Sequence, residues 1–134
     1  MKWGSEMKKI MVVDDEPDVT FIVGEMLSRE GYSVVEANSG KEALQKMGKE
    51  KPDLVLLDIM MPGMDGWEVS RKIKGNKNTK DTLVSMYSVK FDDADKVKSF
   101  DYALADWHIS KTLDRERLVS TVKWLLTSPM KRLT

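Results

Sequence analysis

Five residues of this 134-residue chain combine types that can do chemistry together. Asp14-Asp15 close the apolar run Ile10-Met11-Val12-Val13, Asp58 closes Leu54-Val55-Leu56-Leu57, Ser88 follows Leu83 to Tyr87, and Lys111 follows Ala105 to Ile109 with Ser110 between. Three carboxylates gathered in one crevice repel one another and are costly to keep ionised unless a cation lies among them. A hard divalent ion such as Mg²⁺ suits them, because it takes oxygen ligands and keeps waters that phosphoryl oxygens can replace. Three Asp and one Lys leave the crevice at −2, and a bound Mg²⁺ brings it to zero. The set also suits phosphoryl transfer to a carboxylate. Asp58 would be the nucleophile that becomes an acyl phosphate, Lys111 the ammonium that neutralises charge, and Ser88 the hydroxyl that adds a hydrogen bond. With no Cys, a single His and no G-x-x-x-x-G-K-[ST] loop, the chain is poorly equipped for thiol, redox or nucleotide-hydrolysing chemistry.

These residues can meet only if the runs that precede them lie side by side. Ile10 to Val13 and Leu54 to Leu57 read as strands buried on both faces, and Ser33 to Glu36 as a brief edge strand. Leu83 to Tyr87 and Ala105 to Ile109 complete five. Between them lie helical patterns. Pro17 opens the first helix, with Val19, Ile22, Val23, Met26 and Leu27 as its apolar stripe and Gly31 as its stop. Ser39 and Glu42 have the form of a capping box for a helix over Gly40 to about Gly48. Asp65 and Glu68 cap a third whose Val69 and Ile73 face the core, and Gly75-Asn76 end it with residues that tolerate the left-handed conformation. A fourth, from about Asp92 to Tyr102, presents Val97, Phe100 and Leu104. The last carries Leu118, Val122, Leu125 and Leu126 and ends before Pro129. Five alternating strands and helices predict an α/β fold, a doubly wound five-stranded parallel sheet with helices on both faces. Ligands of such sheets bind beyond the strands' carboxyl ends, where all five residues stand.

Composition agrees. Twenty-two basic and 22 acidic residues give a formal charge of zero, so no global field attracts a nucleic acid backbone or an anionic membrane. No apolar run approaches the ~20 residues that span a bilayer, and the first six residues lack the core of a secretory signal. The reading is one cytoplasmic domain over residues 8–127, flanked by short tails at 1–7 and 128–134 that are too short for a second one. The ten Met residues serve first as adaptable core fillers.

Asp14-Asp15, the segment Leu56-Leu57-Asp58-Ile59-Met60-Met61-Pro62-Gly63-Met64-Asp65-Gly66, Ser88 and Lys111 together resemble the receiver domain of two-component response regulators, over roughly Lys8 to Leu126. The resemblance implies a (βα)5 flavodoxin-like fold with strand order 2-1-3-4-5. It further implies that Asp58 takes a phosphoryl group from a phosphohistidine of a sensor histidine kinase or phosphotransfer protein. Asp15 and Asp58 would ligate Mg²⁺ by side chain, Met60 by its backbone carbonyl and Asp14 through water. Ser88 would be the switch hydroxyl and Lys111 the lysine on the phosphoryl group. The outcome would be a repacked surface of the fourth helix, fifth strand and fifth helix, read by a downstream protein or by a phosphorylation-dependent dimer, with no direct nucleic acid contact and no membrane insertion.

The chain departs from the family pattern at its output side. His108 stands at the switch-aromatic position, where an imidazole can rotate inward or carry charge near neutral pH; an ordinary, partly exposed strand histidine is the alternative. Thr112 replaces the usual Pro after the lysine. A cis bond before Thr would cost about 3 kcal/mol or more, so a trans bond is expected. Val89 replaces a small residue and could narrow access to Asp58, while Met60 and Lys90 occupy positions that tune dephosphorylation in the family. Two other readings stand beside a stand-alone, self-modifying receiver: a receiver-like scaffold that is never phosphorylated, and a Mg²⁺-dependent aspartyl-nucleophile phosphatase. The latter needs a D-x-D after the first strand, which Asp14-Asp15-Glu16 does not supply.

Overall fold

The computed structural model describes residues 7–89, 92–112 and 114–127. The tails, apart from Met7, together with Lys90 and Pro129, lie outside the described residues. Five parallel strands, β1 (Lys9–Val13), β2 (Ser33–Ala37), β3 (Leu54–Leu57), β4 (Leu83–Ser88) and β5 (Trp107–Ser110), form one sheet in the order β2-β1-β3-β4-β5. The connecting helices are α1 (Pro17–Ser28), α2 (Gly40–Glu50), α3 (Gly66–Lys74), α4 (Asp93–Val97) and α5 (Arg115–Thr127). The doubly wound expectation holds, with the brief β2 at an edge as expected and its residues mostly half-buried.

The continuous apolar runs of β1 and β3 divide between two cores by their alternation of faces. Ile10, Val12, Leu54 and Leu56 pack with Val23 and Leu27 of α1 and Leu118, Val122 and Leu125 of α5. Met11, Val13, Val55 and Leu57 turn to the opposite face, toward Ala43 and Met47 of α2 and Val69 and Ile73 of α3. Burying both faces leaves the sheet's ends as the place where polar side chains reach solvent, which directs the acidic residues to one rim.

Four local expectations need correction. Ile22 is 53% exposed, because α1 turns Thr20, Val23, Gly24 and Leu27 inward; Gly24 lets the helix approach until an added Cβ would lie 3.3 Å from Val34. The reciprocal capping box at α2 is displaced by one residue: Ser39 accepts from the Glu42 N–H at 3.0 Å, but Glu42 accepts from the Asn38 N–H at 2.8 Å. Gly75 keeps a right-handed φ of −88°, so α3 ends without a left-handed cap.

The largest departure is the fourth helix. After five α-helical residues it widens into a π-helical turn, Lys98–Tyr102, and leaves through Leu104 at φ 58°, a costly conformation for a branched side chain. Val97, Phe100 and Leu104 are exposed, and Ser99 and Ala103 face inward instead. Trp67 of α3 occupies the space opposite and leaves room only for small side chains. Its indole N–H donates to Ser99 Oγ at 2.9 Å, and Ser70 Oγ donates to the Ala103 carbonyl at 2.7 Å.

Candidate functional site

β1 ends in Asp14 and Asp15 because the sheet stops there: the Asp14 N–H donates to the Ala37 carbonyl at 3.1 Å, and Pro17 then starts α1. The Asp58 N–H likewise extends the β1–β3 pairing to the Val13 carbonyl at 2.9 Å. These two bonds put neighbouring strand ends, and so their carboxylates, side by side. Asp14, Asp15 and Asp58 each offer an oxygen within 4.8 Å of the other two, Asp14 and Asp58 from buried positions and Asp15 from an exposed one. Such converging oxygens fit a hard divalent cation open to solvent on one side.

Lys111 reaches into the same cleft from beyond β5. Its Nζ donates to Asp14 Oδ2 at 2.5 Å and to Asp58 Oδ1 at 3.3 Å, while its backbone N–H donates to the Ser88 carbonyl at 2.7 Å. One residue therefore fixes the end of β4 and neutralises the carboxylates. Ser88 is buried at the end of β4. Met60 lies two residues past Asp58 and is 72% exposed, and Val89 is exposed as well.

Electrostatics follow from this packing. Burial, reinforced by the Asp14 charge and only partly offset by Lys111, pushes the Asp58 carboxyl up to about 6. Burial alone would lower the Lys111 ammonium, but its hydrogen bond to Asp14 and the charge of Asp58 outweigh that and raise it. Asp58 is thus ionised at pH 7 yet more basic than an ordinary carboxylate, beside a firmly charged ammonium. His108 behaves differently. Burial, with Lys96 adding to it against Asp95, holds its imidazole down at about 4, so in this conformation it is neutral near pH 7 and only partly exposed on β5. The charge near neutral pH that its residue type allows is not present here. Thr112 bonds back to Ser110 through both its hydroxyl, at 2.6 Å, and its N–H, at 3.1 Å; no described peptide bond is cis, as expected for Lys111–Thr112.

Three residues to which the sequence reading gave no role of their own touch this constellation. Gly66 lies so close beneath the loop that a Cβ there would stand 2.1 Å from the Asp58 carbonyl oxygen, and its N–H donates to the Ile59 carbonyl at 2.8 Å. The signal was visible as the glycine after Asp65, at the first position of a capped helix. Tyr87 packs its ring 5.6 Å from Lys111 Nζ, and Asn38 bonds to the Asp14 backbone; neither carries a sequence signal beyond its position at a strand end.

The model of the response regulator receiver domain matches residues 10–123, which include all five chemical residues. The chain belongs to the response regulator receiver family. It is 38% identical over 119 residues to the alkaline phosphatase synthesis transcriptional regulatory protein PhoP of Bacillus subtilis, covering 89% of this chain but 48% of PhoP. The chain therefore spans about half the length of that relative. It is 32% identical to protein PilH of Pseudomonas aeruginosa over 90% of this chain and 98% of PilH. The BeF3-activated N-terminal receiver domain of Klebsiella pneumoniae RstA superposes with a TM-score of 0.83 at 30% identity, covering 90% of this chain and all of that one. The receiver is thus a two-component signalling module, of a family that binds Mg²⁺ at an acidic pocket and works with histidine kinases or phosphotransfer proteins. Among the described residues no helix is long and apolar enough to cross a membrane.

Proposed function

We propose that this receiver accepts a phosphoryl group from a phosphohistidine onto Asp58 and thereby changes the surface formed by α4, β5 and α5. The observation that carries the reading is the meeting of Asp14, Asp15, Asp58 and Lys111 at one rim of the sheet, from strands far apart in sequence. An Asp58 oxygen attacks the phosphorus in line with the departing imidazole; a P–O bond forms, the P–N bond breaks, and the electron pair leaves with the ring nitrogen, which takes a proton. Lys111 Nζ, within reach of both buried carboxylates, follows the new negative charge, and the Ser88 hydroxyl supplies a hydrogen bond to a phosphoryl oxygen. Asp15, Asp58 and the Met60 carbonyl would hold Mg²⁺, with Asp14 acting through water, and the ion would supply the positive charge that brings nucleophile and phosphoryl group together.

The modified state differs by charge and by contact. An acyl phosphate adds about one negative charge at Asp58 near neutral pH, and Lys111 and Ser88 are drawn toward it. Because Lys111 N–H is bonded to the Ser88 carbonyl, the ends of β4 and β5 respond as a unit and bias an existing equilibrium of the α4 surface. Output then passes to a second protein or to self-association, and no external substrate is turned over.

Incubation with Mg²⁺ and a small acyl or amidophosphate donor, followed by intact mass measurement, tests the reading. A single phosphoryl adduct that is absent from Asp58→Ala is expected. No adduct with any donor would favour a scaffold that is not phosphorylated, and steady turnover of a phosphomonoester would favour the phosphatase.

A further inference from the structure

Asp15 is the exposed member of the acidic trio, and its carboxylate can serve a cation only where the backbone puts it. The peptide plane joining Asp14 to Asp15 decides that, since a planar peptide fixes the Asp15 nitrogen and Cα once the Asp14 carbonyl is oriented. That carbonyl is held by a side chain from another element. Asn38, at the exit of β2, donates Nδ2–H to the Asp14 carbonyl oxygen at 2.8 Å and to Thr20 Oγ1 at 3.2 Å. Thr20 is fully buried and passes its own proton to the Pro17 carbonyl at 3.0 Å. The carboxamide thus bridges the end of β1 to the first turn of α1, on either side of the Asp14-Asp15-Glu16 turn.

Asn38 is itself held in place. Its N–H donates to Glu42 Oε1 at 2.8 Å, and Glu42 Oε2 pairs with Lys46 at 2.8 Å. This is the displaced capping bond of α2. Had Glu42 closed the ordinary box onto the Ser39 N–H, the Asn38 backbone would have lost this partner. The amide orientation follows from its partner, because a carbonyl oxygen only accepts and so must face the NH₂ group. A carboxamide NH₂ has the two protons that two acceptors require; a hydroxyl has one.

We propose that Asn38 is a positioning residue for the divalent cation of this receiver, acting through the Asp14–Asp15 peptide. The proposal rests on the reading of the acidic trio as a Mg²⁺ site. Groups that orient metal ligands from behind commonly govern affinity by a factor of 10 or more, and here the supported element is the backbone between two acidic residues.

The test is Mg²⁺ binding to the unphosphorylated full chain by titration calorimetry, with thermal melting on the same samples. Asn38→Ala should weaken Mg²⁺ about tenfold. Asn38→Ser, whose single proton cannot serve both acceptors, should fall in between. Ser39→Ala is the control: it removes the α2 cap one residue away, so it should lower the melting temperature and leave Mg²⁺ affinity at the parent value. Parent-level affinity in Asn38→Ala overturns the proposal, as does an equal loss in Ser39→Ala, which would make the effect one of α2 stability. A parent chain that binds no Mg²⁺ overturns the underlying reading as well, and is distinguished from the other outcomes by the first titration.

Discussion

Trp67 donates its indole N–H to Ser99 Oγ at 2.9 Å, tying the first turn of α3 to the π-helical turn that continues α4. The Lys98 ammonium sits 4.3 Å from the centroid of the same indole. Trp67 follows Gly66, whose backbone lies against the Asp58 carbonyl, so one short segment touches both Asp58 and the π-helical turn that continues α4. Ser99→Ala leaves the indole donor without this acceptor and should cost about 1 to 2 kcal/mol in urea unfolding. An upfield move of the Trp67 indole proton in NMR spectra would accompany it. An unchanged indole resonance would contradict the link.

Gly66 tolerates no side chain. A Cβ would meet the Asp58 carbonyl oxygen at 2.1 Å and the Ile59 Cα at 2.8 Å, both backbone atoms that cannot swing aside. Gly66→Ala should destabilise the fold by about 3 kcal/mol and displace Asp58, so that phosphoryl adduct formation falls even in the fraction that stays folded. Unfolding midpoints and intact mass on one preparation check both.

Asp58 carries a pH signature of known sign. Its carboxyl is raised from 3.8 to about 6, so the folded state holds a proton that the unfolded chain has released between those values. Stability from this group is therefore present below pH 4 and lost as pH rises through 6, by at most about 3 kcal/mol. Asp58→Asn, which cannot ionise, should be more stable than the parent at pH 7.5 by about 1 to 2 kcal/mol and equal to it near pH 4. Denaturation across that range decides, and an Asn variant less stable than the parent at pH 7.5 would refute the assignment.

His108 contributes the opposite slope. Its imidazole is lowered from 6.5 to about 4, so the unfolded chain takes up the proton first as pH falls. Stability from the neutral ring is present above pH 6.5 and lost as pH drops toward 4, again by at most about 3 kcal/mol. His108→Phe should flatten this acid limb while Asp58→Asn removes the compensating gain. The two variants should consequently bend the stability curve in opposite directions between pH 4 and 6.5, and like-signed changes would count against both causes.

The parts of this molecule that are legible from sequence are those set by burial. Ile10–Val13 and Leu54–Leu57 must lie inside a sheet, and the acidic residues that end them can only emerge at its rim, so the trio of carboxylates follows from burial, whereas the strand order came from the family resemblance. What escapes is set by partners from elsewhere in the chain. A 3.6-residue period assigns Val97 and Phe100 to the interior of the fourth helix; the bulk of Trp67 against Ser99 and the wider π-turn reverse that. His108 reads as a titrating group because unperturbed imidazole titrates near pH 6.5, yet packing on β5 beside Lys96 removes the charge. Asn38 leaves no pattern at all. Its importance arises from which carbonyl lies 24 residues back in the chain, beside it across β1 and β2.

The ion pair between Lys111 and Asp14 joins groups 97 residues apart and reaches over the ends of two intervening strands. Contacts of such sequence separation cost chain entropy to close, and topologies rich in them fold more slowly. A nascent or partly unfolded chain lacking β5 would expose Asp14 and Asp58 without their ammonium and would have no assembled pocket. The acidic rim and its neutralising cation are therefore properties of the whole sheet, and no fragment that ends before β5 carries both.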